Sequence, residues 1–155
     1  MTQAPRKSLV TDARRALGEC PAAELRRASR LADRLLDARL RGLEMTAAQF
    51  GLLTLIAASR DDTMAGLAGR GNFDLSTLSR NLAILERDGL VEVAAIEADR
   101  RKRAVWLTET GARRLEKALP VWRATRHELD ALARSLSFSA GAAAPARRSR
   151  PKRRA

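Results

Sequence analysis

The chain has 155 residues, of which 45% are hydrophobic and 31% are charged, a balance typical of one soluble globular domain and not of a disordered segment. Its formal net charge of +12 favours a polyanionic partner, with nucleic acid ahead of an anionic membrane surface. A single cysteine excludes an internal disulfide framework and a multi-cysteine zinc site, and no apolar run approaches the roughly 18 residues of a membrane span.

The two ends of the chain differ from its middle. Residues 1–20 show little hydrophobic periodicity, so we expect a mobile arm or a frayed helix there. They also lack the apolar core of a signal peptide, which predicts a cytoplasmic protein. Residues 137–155 are low in complexity and are predicted to be a disordered basic tail, since the last eleven carry six positive charges and no negative one. The folded domain is therefore predicted to span residues 21–136.

Two amphipathic helices are predicted at the start of this domain. From Pro21 onward, leucines and alanines recur every three or four positions as far as Leu43, with arginines between them. Pro21 suits a first helical turn, and Gly42 suits the end of the helix. Thr46 and Gln49 then have the spacing of a capping box at the start of a second, largely buried helix.

A short third helix is predicted after a cap within residues 61–63, and glycines 69 and 71 with Asn72 are expected to form the turn that ends it. Asp74 is then placed to cap a fourth helix, which is predicted to stop at a left-handed Gly89.

The fourth helix is predicted to have two distinct faces. At 100° per residue its leucines form one stripe; they are Leu75, Leu78, Leu82 and Leu85. Ser76, Arg80 and Arg87 project from the opposite face, flanked by Thr77 and Ser79. Short hydroxyls beside arginine allow a close approach to phosphates and base edges, and Arg80 is long enough to reach guanine.

A hairpin and a long helix are predicted to complete the domain. Residues 90–96 and 102–108 are short apolar runs around a charged turn, the pattern of a β-hairpin. Thr108 is placed to cap a final helix that reaches residue 136, and Pro120 is expected to kink it. The order of elements predicts a mainly α fold with a small β-hairpin wing: a winged helix-turn-helix with long N- and C-terminal dimerisation helices.

Five segments resemble the MarR-type transcriptional regulators. They are LEMTAAQFGLL (43–53), TMAGLA (63–68), DLSTLSRNLAILERDGLV (74–91), DRRKRAVWLTETG (99–111) and ALPVWRA (118–124). They occur in the family's order and spacing, and the resemblance covers roughly residues 25–130. The resemblance implies a homodimer that is joined by its long first and last helices and binds a palindrome-like operator on double-stranded DNA, as a transcriptional repressor.

The resemblance also implies which residues contact DNA. The polar face of the fourth helix would enter the major groove; its candidates are Ser76, Thr77, Ser79, Arg80 and Arg87. In the wing, Arg101 would enter the minor groove, with Arg100 and Lys102 near phosphates. Asp99 would orient a wing arginine through a charge-assisted hydrogen bond. The competing interpretation is that this charged turn is simply solvated.

Two further roles are implied by particular branches of the family. A crevice for a small aromatic or anionic effector would involve Trp106, Trp122 and His127. Each also has an ordinary structural explanation: Trp106 as a strand residue, Trp122 as a dimer-core residue and His127 as a surface helix residue. Cys20 lies near the start of the first predicted helix, where a peroxide-sensing branch carries a reactive cysteine, and a helix N-terminus would lower the pKa of its thiol. An unreactive structural cysteine is the alternative.

Three classes of function compete on the sequence. An enzyme is not expected, because one histidine, one cysteine and no Gly-rich phosphate loop leave no catalytic constellation, and no cofactor or metal is expected. The main rival to a sequence-specific regulator is a non-specific architectural DNA-binding protein driven by its basic tail. The third is a protein–protein adaptor that has lost operator binding.

Overall fold

The computed structural model describes residues 7–59, 63–96 and 99–135 of the chain. Six α-helices and two strands follow in the order α1 (Lys7–Glu19), α2 (Pro21–Leu40), α3 (Ala47–Ala58), α4 (Met64–Gly71), α5 (Leu75–Arg87), β1 (Val91–Ile96), β2 (Asp99–Leu107) and α6 (Glu109–Ser135). The predicted winged helix-turn-helix architecture is confirmed. Across the described ranges, no helix has the length and apolarity needed to cross a membrane.

The N-terminal region, for which a mobile arm or a frayed helix was expected, contains a helix. α1 is exposed along its described length, and Leu17 is 76% exposed. Cys20 connects it to α2, where Pro21 occupies the first turn as predicted. Whether residues 1–20 are mobile stays a prediction, and residues 1–6 lie outside the described part of the chain.

The end of α2 does not use Gly42 as the sequence analysis expected. The helix stops at Leu40, and a short 3-10 helix covers Arg41–Leu43. The residue that takes the left-handed conformation is Glu44, with φ of 49°. Gly42 lies inside the 3-10 helix. The predicted helix end is therefore wrong: α2 ends two residues before Gly42, and the left-handed residue is Glu44, two residues after it.

α3 begins with the predicted capping box. The Thr46 hydroxyl accepts a hydrogen bond from the backbone N–H of Gln49 (3.2 Å), and the Gln49 side chain accepts from the N–H of Thr46 (3.0 Å). The carboxylate of Asp37, on α2, accepts from the N–H of Ala47 at 2.6 Å. These contacts satisfy donors that an α-helix leaves unpaired at its start.

α4 also differs from expectation at its glycines. Thr63 caps the helix through the N–H of Gly66 (3.0 Å), but the helix continues through Gly71, and only Asn72 is left-handed. Gly71 packs closely and does not form the turn, since a Cβ at this position would lie 2.5 Å from the Phe73 ring, which would have to shift. The predicted cap contribution of residues 61 and 62 lies outside the described residues.

The two strands form an antiparallel hairpin whose register runs from Val91 opposite Leu107 to Ala95 opposite Arg103, with an irregularity before Ile96. An isolated bridge joins Thr63 to Ala104. The start of α4 is thereby attached to β2.

α6 is the longest element and packs on α2, α3 and the hairpin. Thr108 caps it as predicted, accepting from the N–H of Gly111 (3.0 Å), and the helix runs through Pro120 without ending. Arg39 of α2 donates two hydrogen bonds to Glu128 of α6, at 2.6 and 2.9 Å. The core between these elements is almost entirely aliphatic, so it gives α4, α5 and the hairpin a fixed support. The domain boundaries, including the tail at 137–155 outside the described residues, stay predictions.

Candidate nucleic-acid interface

α5 presents one buried and one exposed face, close to the predicted pattern. Leu78, Leu82 and Leu85 are buried in the core, which fixes the rotation of the helix about its axis. Leu75 is an exception, since it is 55% exposed. It lies in the first helical turn, beyond the edge of the core, so the predicted four-leucine stripe is correct for three positions.

The predicted DNA-binding residues of α5 differ in accessibility. Ser76, Ser79 and Arg80 are exposed, and Thr77 is half-buried. Within the described part of the chain, Arg80 has no hydrogen bond or ion pair from its guanidinium group. Its charge is therefore available to an external anion or base edge.

Arg87 is exposed but already engaged. Its Nε and Nη2 atoms donate to Oδ1 of Asp88 at 3.2 and 3.1 Å. A contact from Arg87 to a phosphate would have to share or replace this bond, which distinguishes it from Arg80 on the same face.

The N-terminus of α5 is organised by the carboxylate of Asp74. Its Oδ1 atom accepts from Ser76 Oγ (2.6 Å) and from the N–H of Thr77 (2.8 Å), and its Oδ2 atom accepts from Thr77 Oγ1 (2.6 Å). The hydrogen bond from Ser76, followed by those from the Thr77 side chain and backbone, lowers the pKa of Asp74 from 3.8 to about 2. The predicted cap is confirmed, and two predicted DNA-binding hydroxyls belong to it.

The wing residues lie on the backbone of β2 nearest the hairpin tip. Asp99 pairs with Ile96, and Arg100, Arg101 and Lys102 continue the strand. The side chains of these four residues lie outside the described part of the structure, so their DNA roles stay predictions.

Arg103 was missed by the sequence analysis. It is exposed on β2 and lines a hollow of about 140 Å³ together with Ser79 and Ala83 of α5. The hairpin thus places a further cation beside the exposed face of α5. The sequence feature that could have identified Arg103 is its position directly after the D-R-R-K run. Its position beside α5, however, follows only from the way the hairpin packs on that helix.

The three effector candidates contact different partners. Trp106 is 40% exposed, and its Nε1 donates to Glu92 at 2.9 Å. Trp122 is half-buried and stacks on Phe50 of α3 with ring centroids 6.3 Å apart, and His127 is exposed on α6. A crevice shared by all three stays a prediction.

Cys20 is a half-buried free thiol at the start of α2. Its carbonyl oxygen accepts from the N–H groups of Ala23 and Glu24, at 3.0 and 3.2 Å. These are backbone contacts of the helix start, and they leave the proposed redox role of the sulfur a prediction.

Comparisons with known proteins agree with this geometry. The MarR family model matches residues 43–102. The transcriptional regulator MosR of M. tuberculosis, solved in complex with DNA, is 41% identical with a TM-score of 0.68, over 73% of this chain and 82% of that one. A MarR mutant from E. coli, complexed with operator DNA, is 30% identical with a TM-score of 0.65, over 79% of this chain and 86% of that one.

A third similar structure is BpsR of Bordetella bronchiseptica, a protein whose DNA binding is regulated by 6-hydroxynicotinic acid. It is 25% identical with a TM-score of 0.61, over 68% of this chain and 75% of that one. No curated protein matched the sequence.

The elements define a winged helix-turn-helix protein, in which α4 and α5 form the helix-turn-helix and the β1–β2 hairpin forms the wing. The chain belongs to the MarR family of transcriptional regulators.

Proposed function

We propose that this protein is a sequence-specific DNA-binding transcriptional repressor, which acts as a homodimer on a palindrome-like operator. The observation that carries the proposal is the exposed face of α5, where Arg80, which has no ion pair within the described residues, projects from a helix whose opposite face is buried. A helix of this kind fits the major groove, where arginine can donate two hydrogen bonds to guanine. Double-stranded DNA in the structures of similar regulators supports the choice of partner.

The homodimer is supported by apolar side chains that the described monomer leaves uncovered. Leu9, Leu17 and Leu25, on α1 and the first half of α2, are 56%, 76% and 61% exposed. A concentration of exposed leucines on neighbouring helices marks a protein interface. A two-fold dimer built on these helices would present two copies of α5, and this symmetry is the reason to expect a palindrome-like operator. A small-molecule effector, as in BpsR, is part of the same proposal.

The function is tested by replacing Arg80 with alanine. Duplexes preferred by the wild-type protein are first selected from a random DNA pool, and the affinities of both proteins for a preferred and a scrambled duplex are then measured at one salt concentration. The loss of a bidentate guanine contact should weaken binding to the preferred duplex by about 1–3 kcal/mol and relax the preference at one base position.

Arg123→Ala is the matched control, because Arg123 is exposed on α6 and also has no ion pair in the described part of the chain. It should leave the ratio between the two duplexes unchanged. Both variants should unfold within about 0.5 kcal/mol of wild type. A wild-type protein that binds DNA but selects no preferred duplex would favour the architectural protein, and one that binds no duplex would favour the adaptor. An equal loss on both duplexes for Arg80→Ala would show that Arg80 contacts phosphate and not a base.

A further inference from the structure

The hydroxyl groups at the start of α5 have their protons committed within the protein. Ser76 Oγ lies 2.6 Å from Asp74 Oδ1, and Thr77 Oγ1 lies 2.6 Å from Asp74 Oδ2. The carboxyl group is ionised at neutral pH, since its pKa is about 2. An ionised carboxylate has no proton to donate, so both hydroxyls must be the donors in these bonds.

This arrangement changes what the two side chains offer to a ligand. An unconstrained hydroxyl rotates and can either donate or accept a hydrogen bond. Here the only proton of each hydroxyl points at Asp74, and the remaining lone pairs are the only polar groups left on Ser76 Oγ and Thr77 Oγ1. Each oxygen can therefore accept from a partner but cannot donate to one.

Base edges in the major groove differ in this respect. Adenine N6 and cytosine N4 carry amino groups that donate, whereas guanine O6 and N7 and thymine O4 only accept, as do phosphate oxygens. An acceptor-only hydroxyl is therefore complementary to adenine or cytosine and has no hydrogen bond to make with guanine O6, thymine O4 or phosphate.

We propose that Asp74 is a specificity-determining residue, which holds the hydroxyl protons of Ser76 and Thr77 so that the bases facing these side chains are adenine or cytosine. Asp74 acts as a positioning residue, through the two hydroxyls and not through its own contact with DNA. The inference rests on the proposed function, because it requires that α5 lies in the major groove.

Asp74→Asn separates this role from helix capping. Asparagine caps helices as well as aspartate does. Because the backbone N–H of Thr77 needs an acceptor, the side-chain oxygen of the asparagine should occupy the position where Asp74 Oδ1 now lies. Ser76 Oγ then keeps its acceptor. The amide NH₂ group takes the place of Oδ2 and donates to Thr77 Oγ1, which releases the proton of that hydroxyl. The substitution should therefore change the preference of Thr77 alone.

The experiment compares binding to the selected duplex and to single-base variants of it. Ser76→Ala and Thr77→Val first assign the base position that each side chain faces, as the position where the variant loses its preference. With wild-type protein, replacing adenine by guanine or cytosine by thymine at either position should weaken binding about tenfold, because a buried acceptor then meets another acceptor. In Asp74→Asn the factor should fall to about twofold at the Thr77 position and stay unchanged at the Ser76 position.

Each other outcome is decisive. Three outcomes would overturn the role of Asp74 while the protein still recognises an operator. The assigned positions could hold guanine or thymine, or no base preference could be assigned to either hydroxyl. Alternatively, Asp74→Asn could change the preference equally at both positions. A wild-type protein that binds all duplexes equally would instead overturn the proposed function itself. Thermal unfolding of Asp74→Asn close to that of wild type shows that the cap is intact.

Discussion

Gly111, in the first turn of α6, lies against the backbone of Leu90, the residue before β1. A Cβ atom built at this position would lie 1.9 Å from the carbonyl oxygen of Leu90, far inside van der Waals contact. The oxygen belongs to the backbone, so it cannot move aside as a flexible side chain can. This contact gives a physical reason for the glycine that ends the segment LTETG (107–111).

Gly111→Ala should therefore lower the free energy of unfolding by about 2–4 kcal/mol, because α6 has to shift away from Leu90. Denaturant titration measures the change. Gly51→Ala is the matched control, since Gly51 is an exposed glycine inside α3 with open space around its Cα. Alanine there should stabilise the protein by about 0.5–1 kcal/mol. Similar effects of the two substitutions would contradict the close contact.

Sequence reasoning succeeded at residues whose role is decided by their immediate neighbours. The caps at Thr46, Asp74 and Thr108 depend on a side chain reaching a backbone N–H three residues away, and each was predicted. The glycines at 42 and 71 were misassigned because Glu44 and Asn72 take the left-handed conformations nearby. A helix end is set partly by packing, and no local pattern shows which residue that packing will select.

At the scale of elements, the contact between α2 and α3 depends on a residue that the sequence analysis did not single out. Asp37 lies one turn before the end of α2 and accepts from Ala47, the first residue of α3. The two residues lie on separate helices, and a pairing of this kind follows from the angle between the helices and not from periodicity. The capped starts of helices were therefore more predictable than helix-to-helix contacts.

Asp37→Ala should destabilise the protein by about 1–2 kcal/mol, since it removes a charge-assisted hydrogen bond at the positive end of the α3 dipole. The control is Asp33→Ala. Asp33 is exposed one turn earlier on α2 and makes no hydrogen bond or ion pair within the described residues, so its loss should cost less than about 0.5 kcal/mol. Thermal and chemical unfolding compare the two variants. Equal losses would show that the contact contributes nothing specific.

The fold of the whole molecule was the most predictable level, and the site was less so. Hydrophobic periodicity and turn residues determined the order of helices and hairpin. The orientation of Arg103 towards α5, the engagement of Arg87 by Asp88 and the exposure of Leu75 all depend on how distant segments pack. The residues on the exposed face of α5 could be predicted, whereas the availability of each side chain could not.

Self-association is the property of the whole molecule that we expect the exposed leucines to control. Leu25→Glu should raise the dissociation constant of the proposed dimer at least a hundredfold, because a buried leucine contributes about 1.5–3 kcal/mol and a two-fold interface contains it twice. Sedimentation velocity over a range of concentrations measures the constant. Leu75→Glu is the control, since Leu75 is similarly exposed but lies on α5, and it should leave the constant unchanged. A wild-type protein that is monomeric at micromolar concentration would overturn the dimer.

Thr108 also joins the segment that follows α5 to the start of α6. Its hydroxyl donates to the Gly89 carbonyl at 2.7 Å while its backbone N–H donates to the Leu90 carbonyl at 3.1 Å, so a displacement of α6 at this point would be transmitted to the end of α5. α6 has 27 residues, which makes it a lever about 40 Å long, and a tilt of about 5° at its base displaces its far end by roughly 3.5 Å. Conversely, in the proposed homodimer a small displacement of the far end of α6 would change the angle at which α5 is presented.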